Sequence, residues 1–307
     1  MSSLHSKQIT ASFISLLLIF SISLLITACT KSELSTGFDT SLAYSYLEEQ
    51  MKFGSRYPGS EGHEKTINYI QSELRHSGWL SETWQSGYKD MLITNIVAKR
   101  QFNADKPWII LCAHYDTRRY ADRDPIATNQ SQPVPGANDG ASGVSVLLGL
   151  AAALPQDIPV NVWFVFFDAE DQGDINGWQW IVGSTHFVEQ LTDFPDQAII
   201  VDMIGDSDLN IYFEGNSNPA LSNKLWKIAS NLGFSNYFIP EPKYSMLDDH
   251  TPFLQAGIDA VDIIDFDYPY WHTTSDTLDK VSPESLYAVG AVLYEYLTHY
   301  DLYNEYY

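Results

Sequence analysis

The chain has 307 residues, of which 45% are hydrophobic and 18% are charged, so a disordered chain is excluded and a sizeable core is affordable. This length fits one large α/β domain. Its 39 acidic residues outnumber its 17 Lys and Arg and give a net charge of −22, which argues against a nucleic-acid partner.

The first 28 residues have the pattern of an export signal, with a weakly basic start and an apolar run over residues 13–26. Small residues ending at Ala28 precede Cys29, which resembles a bacterial lipoprotein signal. A transmembrane anchor is the alternative, but the run is short for a span. We therefore expect residues 1–28 to be removed, residues 29–40 to form a polar tether, and a lipid on Cys29 to hold the exported protein on the periplasmic or cell-surface face of a bacterial membrane.

Only one other cysteine is present, Cys112, and it lies inside an apolar run. Such a cysteine is expected to be a small buried side chain. No disulfide is therefore expected in the exported chain, and its stability must come from the hydrophobic core.

Residues 41–307 alternate apolar runs with helical patterns and are expected to form a single domain. Helical spacing predicts helices over residues 41–54, 64–79, 140–154, 218–233 and 282–300, with a short helix at 251–257. Apolar runs predict strands over residues 92–100, 108–116, 160–169, 197–205, 209–215 and 259–265. Strands that alternate with helices predict the α/β class, here a three-layer α/β/α sandwich around a mixed, mostly parallel sheet.

Polar side chains recur where the predicted strands end. His114 and Asp116 follow one apolar run, Glu170 and Asp171 follow another, and Asp202 follows a third. Ligands of open parallel sheets bind beyond the carboxyl ends of the strands. We therefore expect these side chains to meet at one edge of the sheet.

Asp139, before a predicted helix, and His272, in the loop after the last predicted strand, join this set. Histidine and carboxylates are the ligands of catalytic zinc, which uses three protein ligands and keeps one position open. Each residue also has an ordinary reading, with Asp139 as a helix cap, Glu170 facing a loop and His114 in the core. The residue types alone therefore leave a metal site and a purely structural role both open.

The order of these motifs resembles the zinc aminopeptidase-like superfamily. The motifs are His114-x-Asp116, the run from Pro135 to Gly143, Glu170-Asp171, the run from Asp202 to Gly205, Asp248-Asp249-His250 and Trp271-His272-Thr273. The resemblance extends from about residue 40 to the end of the chain. It implies one zinc-dependent catalytic domain with the fold of that superfamily.

Within the superfamily the resemblance leaves two activities open. Secreted aminopeptidases bind two zinc ions, and their pattern would assign one to His114 and Asp202 and the other to Asp171 and His272, with Asp139 bridging. Glutaminyl-peptide cyclotransferases typically hold one zinc ion, which their pattern would assign to Asp139, Asp171 and His272. We favour one ion, with two as the alternative.

Three details favour the cyclotransferase: the doubled Asp248-Asp249, Trp271 before the histidine, and Asn138 before the predicted metal ligand. Asp171 departs from the Glu that is usual at its position and resembles the bacterial cyclotransferases. We therefore expect conversion of an N-terminal glutamine of peptides or proteins to pyroglutamate, with release of ammonia. Hydrolysis of N-terminal residues is the alternative.

The resemblance also implies roles for individual residues. Glu170 would move the proton from the attacking amine to the departing ammonia. Asp248 would hydrogen-bond the tetrahedral intermediate or the leaving nitrogen, and could share a proton with Asp202 or Glu170. Trp271 is expected to line the substrate cleft, and so are Trp180 and Tyr270, because they lie in predicted loops beside the site residues; packing under those loops is the alternative for Trp180 and Tyr270. A catalytically inactive peptide-binding protein is a third reading, which the intact Glu170 disfavours, and the enzyme is expected to act as a monomer.

Overall fold

A computed structural model describes residues 37–304 of the chain. The predicted export signal, Cys29 and residues 29–36 of the predicted tether lie outside the described residues. Phe38 and Asp39, at the end of that tether, belong to the domain, because the Phe38 ring is buried and the Asp39 side chain accepts a hydrogen bond from the backbone N of Leu42. In residues 37–304 no helix is long and apolar enough to cross a membrane.

A six-stranded sheet forms the centre of the domain. Its strands are β1 (Leu80–Tyr88), β2 (Met91–Lys99), β3 (Trp108–His114), β4 (Asn161–Phe167), β5 (Gln197–Asp202) and β8 (Asp259–Ile264), in the order β1-β2-β4-β3-β5-β8. The last four strands of this order are mutually parallel, whereas β1 and β2 pair antiparallel. The strands β6 (Ile211–Glu214) and β7 (Phe238–Tyr244) form a separate parallel pair.

Helices cover both faces of this sheet. They are α1 (Thr40–Lys52), α2 (Glu61–His76), α3 (Ala141–Ala153), α4 (Val182–Gln190), α5 (Pro219–Leu232), α6 (Thr251–Gln255), α7 (Pro283–Thr298) and α8 (Tyr300–Asn304). Helices α1, α2, α3, α5 and α7 share the larger core with one face, and α4 and α6 pack on the other. The predicted three-layer α/β/α sandwich with a mixed sheet is confirmed.

Strand β3 shows why the central strands read as apolar runs. All its residues are buried, and Ile109 and Leu111 face the larger core while Ile110 and Cys112 face the smaller one. A strand covered on both faces needs apolar residues at every position. Cys112 is thus the buried small side chain that was expected.

Strand β1 lies at the edge of the sheet and was not predicted. Its residues are exposed or half-buried along their whole length, so its sequence has no apolar run. Strands β3, β4 and β5 end at or just before His114, Asp168 and Asp202, and the loop after β8 leads to His272. The parallel part of the sheet therefore delivers the predicted residues to one edge.

Candidate metal centre

Asp139, Asp171 and His272 converge at the carboxyl edge of the sheet. The Nε2 atom of His272 lies 2.7 Å from Oδ1 of Asp171 and 3.6 Å from Oδ2 of Asp139. One potential ligand atom from each residue lies within 4.8 Å of the others, and all three side chains are buried. Three distant segments of the chain thus present two carboxylates and an imidazole to a common point.

Several polar atoms of this trio lack hydrogen-bond partners. They are Oδ2 of Asp139, Oδ2 of Asp171 and both ring nitrogens of His272, all fully shielded from solvent. Buried polar atoms are normally hydrogen-bonded, and buried carboxylates are paired or bind a metal. Carboxylate oxygens and imidazole nitrogens are also the donors of a three-ligand zinc site. The residues therefore fit a zinc ion.

A second group of potential ligands shares Asp139. The Nε2 atom of His114 lies 3.1 Å from Oδ1 of Asp139 and 3.1 Å from Oδ1 of Asp202. Here the Nε2 atom of His114 is hydrogen-bonded to Asp202, whereas its Nδ1 atom is buried without a partner. The structure brings together all five residues predicted to bind metal, in two adjacent groups joined by Asp139.

His272 is backed by a carboxylate that the sequence did not reveal. Asp122 Oδ1 lies 3.6 Å from its Nδ1 atom, and Arg118 donates two hydrogen bonds, of 2.9 and 2.6 Å, to the Asp122 carboxylate. Burial opposes ionisation of Asp122, but His272 and Arg118 hold its pKa well below its usual range. A carboxylate behind a histidine ligand fixes the orientation of its ring.

Asp139 and Asp171 are also held through their backbone. Asp276 accepts hydrogen bonds from the backbone N of Asn138 and Asp139, at 2.8 and 3.2 Å. Burial and the neighbouring Asp139 raise the pKa of Asp276 to about 7. Asp116 accepts hydrogen bonds from the backbone N of Glu170, at 3.0 Å, and from that of Asp171, at 3.4 Å. The predicted Asp116 motif therefore serves to position its neighbours.

A cleft of about 640 Å³, counting the space open to solvent, lies over the trio. Glu170 and Asp248 line it, and both are buried. Burial and the nearby Asp171 raise the pKa of Glu170 well above that of an ordinary glutamate. Burial and Asp202 raise the pKa of Asp248 to about 7. Two proton-carrying groups thus stand beside the candidate metal ligands, as general acid–base chemistry requires.

Asp168, which stands with Glu170 and Asp171 in the sequence, points away from the cleft. Its carboxylate lies 2.8 Å from His63 Nε2 and accepts a hydrogen bond of 2.8 Å from the backbone N of Thr94. The chain bends at Ala169, whose φ of 55° is in the left-handed region. This turn separates the structural Asp168 from the two carboxylates that face the cleft.

Comparisons with known proteins match this arrangement. The profile of Peptidase family M28 matches residues 95–297. The chain belongs to Peptidase family M28. The glutaminyl-peptide cyclotransferase-like protein of Bos taurus is 26% identical over 285 residues, which cover 80% of this chain and 72% of that protein.

Solved structures of two bacterial proteins are also similar. Porphyromonas gingivalis glutaminyl cyclase has a TM-score of 0.80 and 30% identity, covering 85% of this chain and 98% of that one. A Zn-dependent exopeptidase from Parabacteroides distasonis has a TM-score of 0.79 and 28% identity, covering 85% and 98%. The M28 match includes every residue predicted for metal binding and catalysis, and the zinc aminopeptidase-like fold is confirmed.

Aromatic side chains form the walls of the cleft in this M28 domain. The Trp180 ring is stacked parallel to His272, with 6.0 Å between centroids, and Trp271 packs edge-on against Phe266. Gly173 permits the position of Trp180, because a Cβ at Gly173 would lie 2.0 Å from the indole Cδ2.

Two of the three predicted aromatic residues, Trp271 and Trp180, line the cleft, but Tyr270 does not. The Tyr270 ring packs against Tyr268, and the Lys280 ammonium lies 4.9 Å from its centroid. Adjacent residues of this loop face different ways, so proximity in sequence misled the prediction. The lining residues that the sequence did not reveal are Met203, Met246, Leu247, Ile264 and Phe266. Met246 and Leu247 directly precede the predicted site residue Asp248, and this adjacency was the sequence signal that could have placed them in the cleft.

Proposed function

We propose that this M28 protein is a glutaminyl-peptide cyclotransferase, which converts an N-terminal glutamine to pyroglutamate and releases ammonia. The observation that carries the proposal is the buried Glu170 beside Asp248 in an aromatic cleft, directly above the Asp139, Asp171 and His272 trio. The similar structures include glutaminyl cyclases, and the match to the one from Porphyromonas gingivalis covers 98% of that chain.

Zinc is the metal that the donor set and the Zn-dependent exopeptidase neighbour support. We propose one ion, held by Asp139, Asp171 and His272, because four unpartnered ligand atoms belong to this trio, whereas His114 and Asp202 add only Nδ1 of His114 and are paired through its Nε2. When bound, the ion would polarise the side-chain amide of the substrate glutamine as a Lewis acid.

Glu170 is suited to carry the proton through the reaction. The α-amine of the substrate forms a bond to the side-chain carbonyl carbon, and the bond from that carbon to the amide nitrogen breaks. Glu170 accepts a proton from the attacking amine and returns it to the leaving nitrogen, which departs as ammonia. Its raised pKa favours such a reversible transfer, since the group must act as base and then as acid.

Asp248 and the aromatic walls complete the site. With a pKa of about 7, Asp248 can donate a hydrogen bond to the oxygen or leaving nitrogen of the substrate near neutral pH. Trp271, Trp180 and Phe266 surround the space for the substrate methylenes and limit the entry of water. Cyclisation consumes no water, so exclusion of solvent favours it over hydrolysis.

The second candidate is an aminopeptidase, and the His114, Asp139 and Asp202 group specifically favours it because that group could hold a second ion. The two functions differ in their products. Full-length protein in detergent with zinc should be given a Gln-initiated and a Leu-initiated peptide of otherwise equal sequence. Ammonia from the first, with the second unchanged, supports the cyclotransferase, whereas free leucine from the second establishes the aminopeptidase.

We further propose that the enzyme is exported and held at a bacterial membrane by a lipid on Cys29, and that it acts as a monomer on the N-termini of peptides or proteins. The pattern of residues 1–28 and the small residues before Cys29 support this localisation. Mass spectrometry of the intact protein and of Cys29→Ser, together with their distribution between membrane and soluble fractions, tests the anchor.

A further inference from the structure

Three arginines of the loop between β3 and α3 differ in what they contact. Arg118 is buried and binds the Asp122 carboxylate and two backbone carbonyls. Arg119 lies over the rings of Tyr57 and Tyr120, away from the cleft. Arg123 is exposed, and in residues 37–304 no carboxylate lies within ion-pair distance of its guanidinium.

Arg123 is held at the rim of the cleft. Its guanidinium lies 5.4 Å from the ring centroid of Trp271, which lines the cleft. Its backbone N donates a hydrogen bond of 3.2 Å to the carbonyl of His272. Packing on a Trp face orients a guanidinium while leaving its donors free. Arg123 is therefore a positioned cation beside the entrance to the site.

The neighbouring acids do not neutralise it. Asp122 is committed to Arg118 at 2.6 Å, and Asp124 accepts hydrogen bonds from the backbone N of Ile126 and Thr274. The floor of the cleft carries five carboxyl groups, from Asp139, Glu170, Asp171, Asp202 and Asp248. Neither Lys nor Arg is among the described residues that line the cleft, so the cation at the rim offers the place where a substrate carboxylate could bind.

We propose that Arg123 is a specificity residue that binds a carboxylate carried by the substrate shortly after its N-terminal glutamine. This inference rests on the proposed cyclotransferase function. An extended chain advances about 3.3 Å per residue, so the second and third side chains of a peptide leaving the cleft pass the Trp271 wall. A guanidinium offers a planar fork of donors that matches a carboxylate. The preferred substrates are peptides that begin Gln-Glu, Gln-Asp or Gln-x-Glu.

The experiment compares C-terminally amidated peptides with Glu, Ala or Lys at the second or third position. Wild-type holoenzyme should show kcat/KM higher for Glu than for Ala by roughly two- to five-fold, the range of an exposed ion pair, and should disfavour Lys. The difference should lie mainly in KM and should shrink at high salt. Arg123→Gln should abolish the preference, and Arg123→Lys should restore part of it.

Arg119→Gln is the matched control, because it removes the same charge from the same loop but away from Trp271. Its preference for Glu should stay like that of the wild type. Binding of the same peptides to Glu170→Gln reads the preference without turnover. The role of Arg123 would be overturned if the Glu and Ala peptides had equal kcat/KM with the wild type and equal Kd for Glu170→Gln. A preference for Glu that survives in Arg123→Gln would also overturn it. Absence of ammonia from every Gln-initiated peptide would instead overturn the cyclotransferase function.

Discussion

His272 and Asp171 lie in contact, with Nε2 of the histidine 2.7 Å from Oδ1 of the aspartate, although they belong to the loops after β8 and β4. Both ring nitrogens nevertheless lack a hydrogen-bond partner. The two side chains therefore approach each other without satisfying each other, which is how ligands of a shared cation are arranged. The metal content of single variants tests this interpretation.

His272→Ala should lose most of its bound zinc, because only two carboxylates of the trio remain. Zinc per chain, measured by mass spectrometry after dialysis, should fall from about one towards zero, while circular dichroism stays unchanged. His186→Ala is the control, since His186 contacts Ser86 away from the cleft. Full zinc occupancy in His272→Ala would place the metal elsewhere.

Asp122→Asn tests the support behind that histidine. The Asp122 carboxylate links Arg118 to His272, so its replacement should leave the ligands in place but loosen the orientation of the ring. The expected result is a loss of zinc affinity of about 10- to 100-fold, measured by competition with a chelating dye. Asp157→Asn, which removes an exposed partner of Lys106, should leave the affinity unchanged. Equal affinities in the two variants would contradict a positioning role for Asp122.

Glu170→Gln should lower kcat by about 10² to 10⁴, because the variant cannot transfer the proton between the two nitrogens. Gln has nearly the same size as Glu, and the hydrogen bond from the backbone N of Glu170 to Asp116 does not involve the Glu170 side chain. Zinc content should therefore match that of the wild type. Ammonia release from a Gln-initiated peptide measures the loss, and turnover near the wild-type rate would show that another group moves the proton.

The sequence predicted those site residues that lie at or just after the end of a buried strand. His114, Asp171 and Asp202 each follow an apolar run, and parallel strands bring such ends together. Asp122 and Asp276 could not be predicted, because they act from loops whose approach to His272 and Asp139 depends on the completed fold. Loop residues have no period that separates a cleft-facing side chain from its neighbour.

The same limit applies to the fold. The central strands were predicted because they are buried on both faces, whereas the edge strand β1 and the strand β7 expose many residues and lack an apolar run. Trp180 and Tyr270 both lie in loops beside site residues, yet only Trp180 lines the cleft. Solvent exposure at an edge or in a loop removes the sequence signal that burial supplies.

Behind Asp248, the structure places a second buried cluster, formed by Glu214, His250 and Asp262. His250 Nε2 lies 3.2 Å from Oε2 of Glu214, and its Nδ1 lies 3.7 Å from Oδ2 of Asp262. Both carboxyl oxygens of Asp262 lack a hydrogen-bond partner. Burial, together with the nearby Asp248, raises the pKa of Asp262 well above its usual value. This group should therefore make stability depend on pH.

The sign follows from proton binding. At pH values between the ordinary pKa of an aspartate, about 3.9, and the raised pKa of Asp262, the folded state holds a proton that the unfolded state has lost. This group's contribution to the free energy of unfolding should therefore fall as pH rises through that window, by at most about 1.4 kcal/mol per unit. Asp262→Asn mimics the protonated side chain and removes this contribution.

Relative to the wild type, Asp262→Asn should therefore gain stability as pH rises from 5 to 8. Urea unfolding of both proteins at several pH values, with equal zinc, measures the difference. The control is Asp208→Asn, which removes an exposed carboxylate elsewhere. Its free energy of unfolding should show the same pH dependence as that of the wild type. Parallel curves for Asp262→Asn would mean that the Asp262 carboxyl group is ionised in the folded protein.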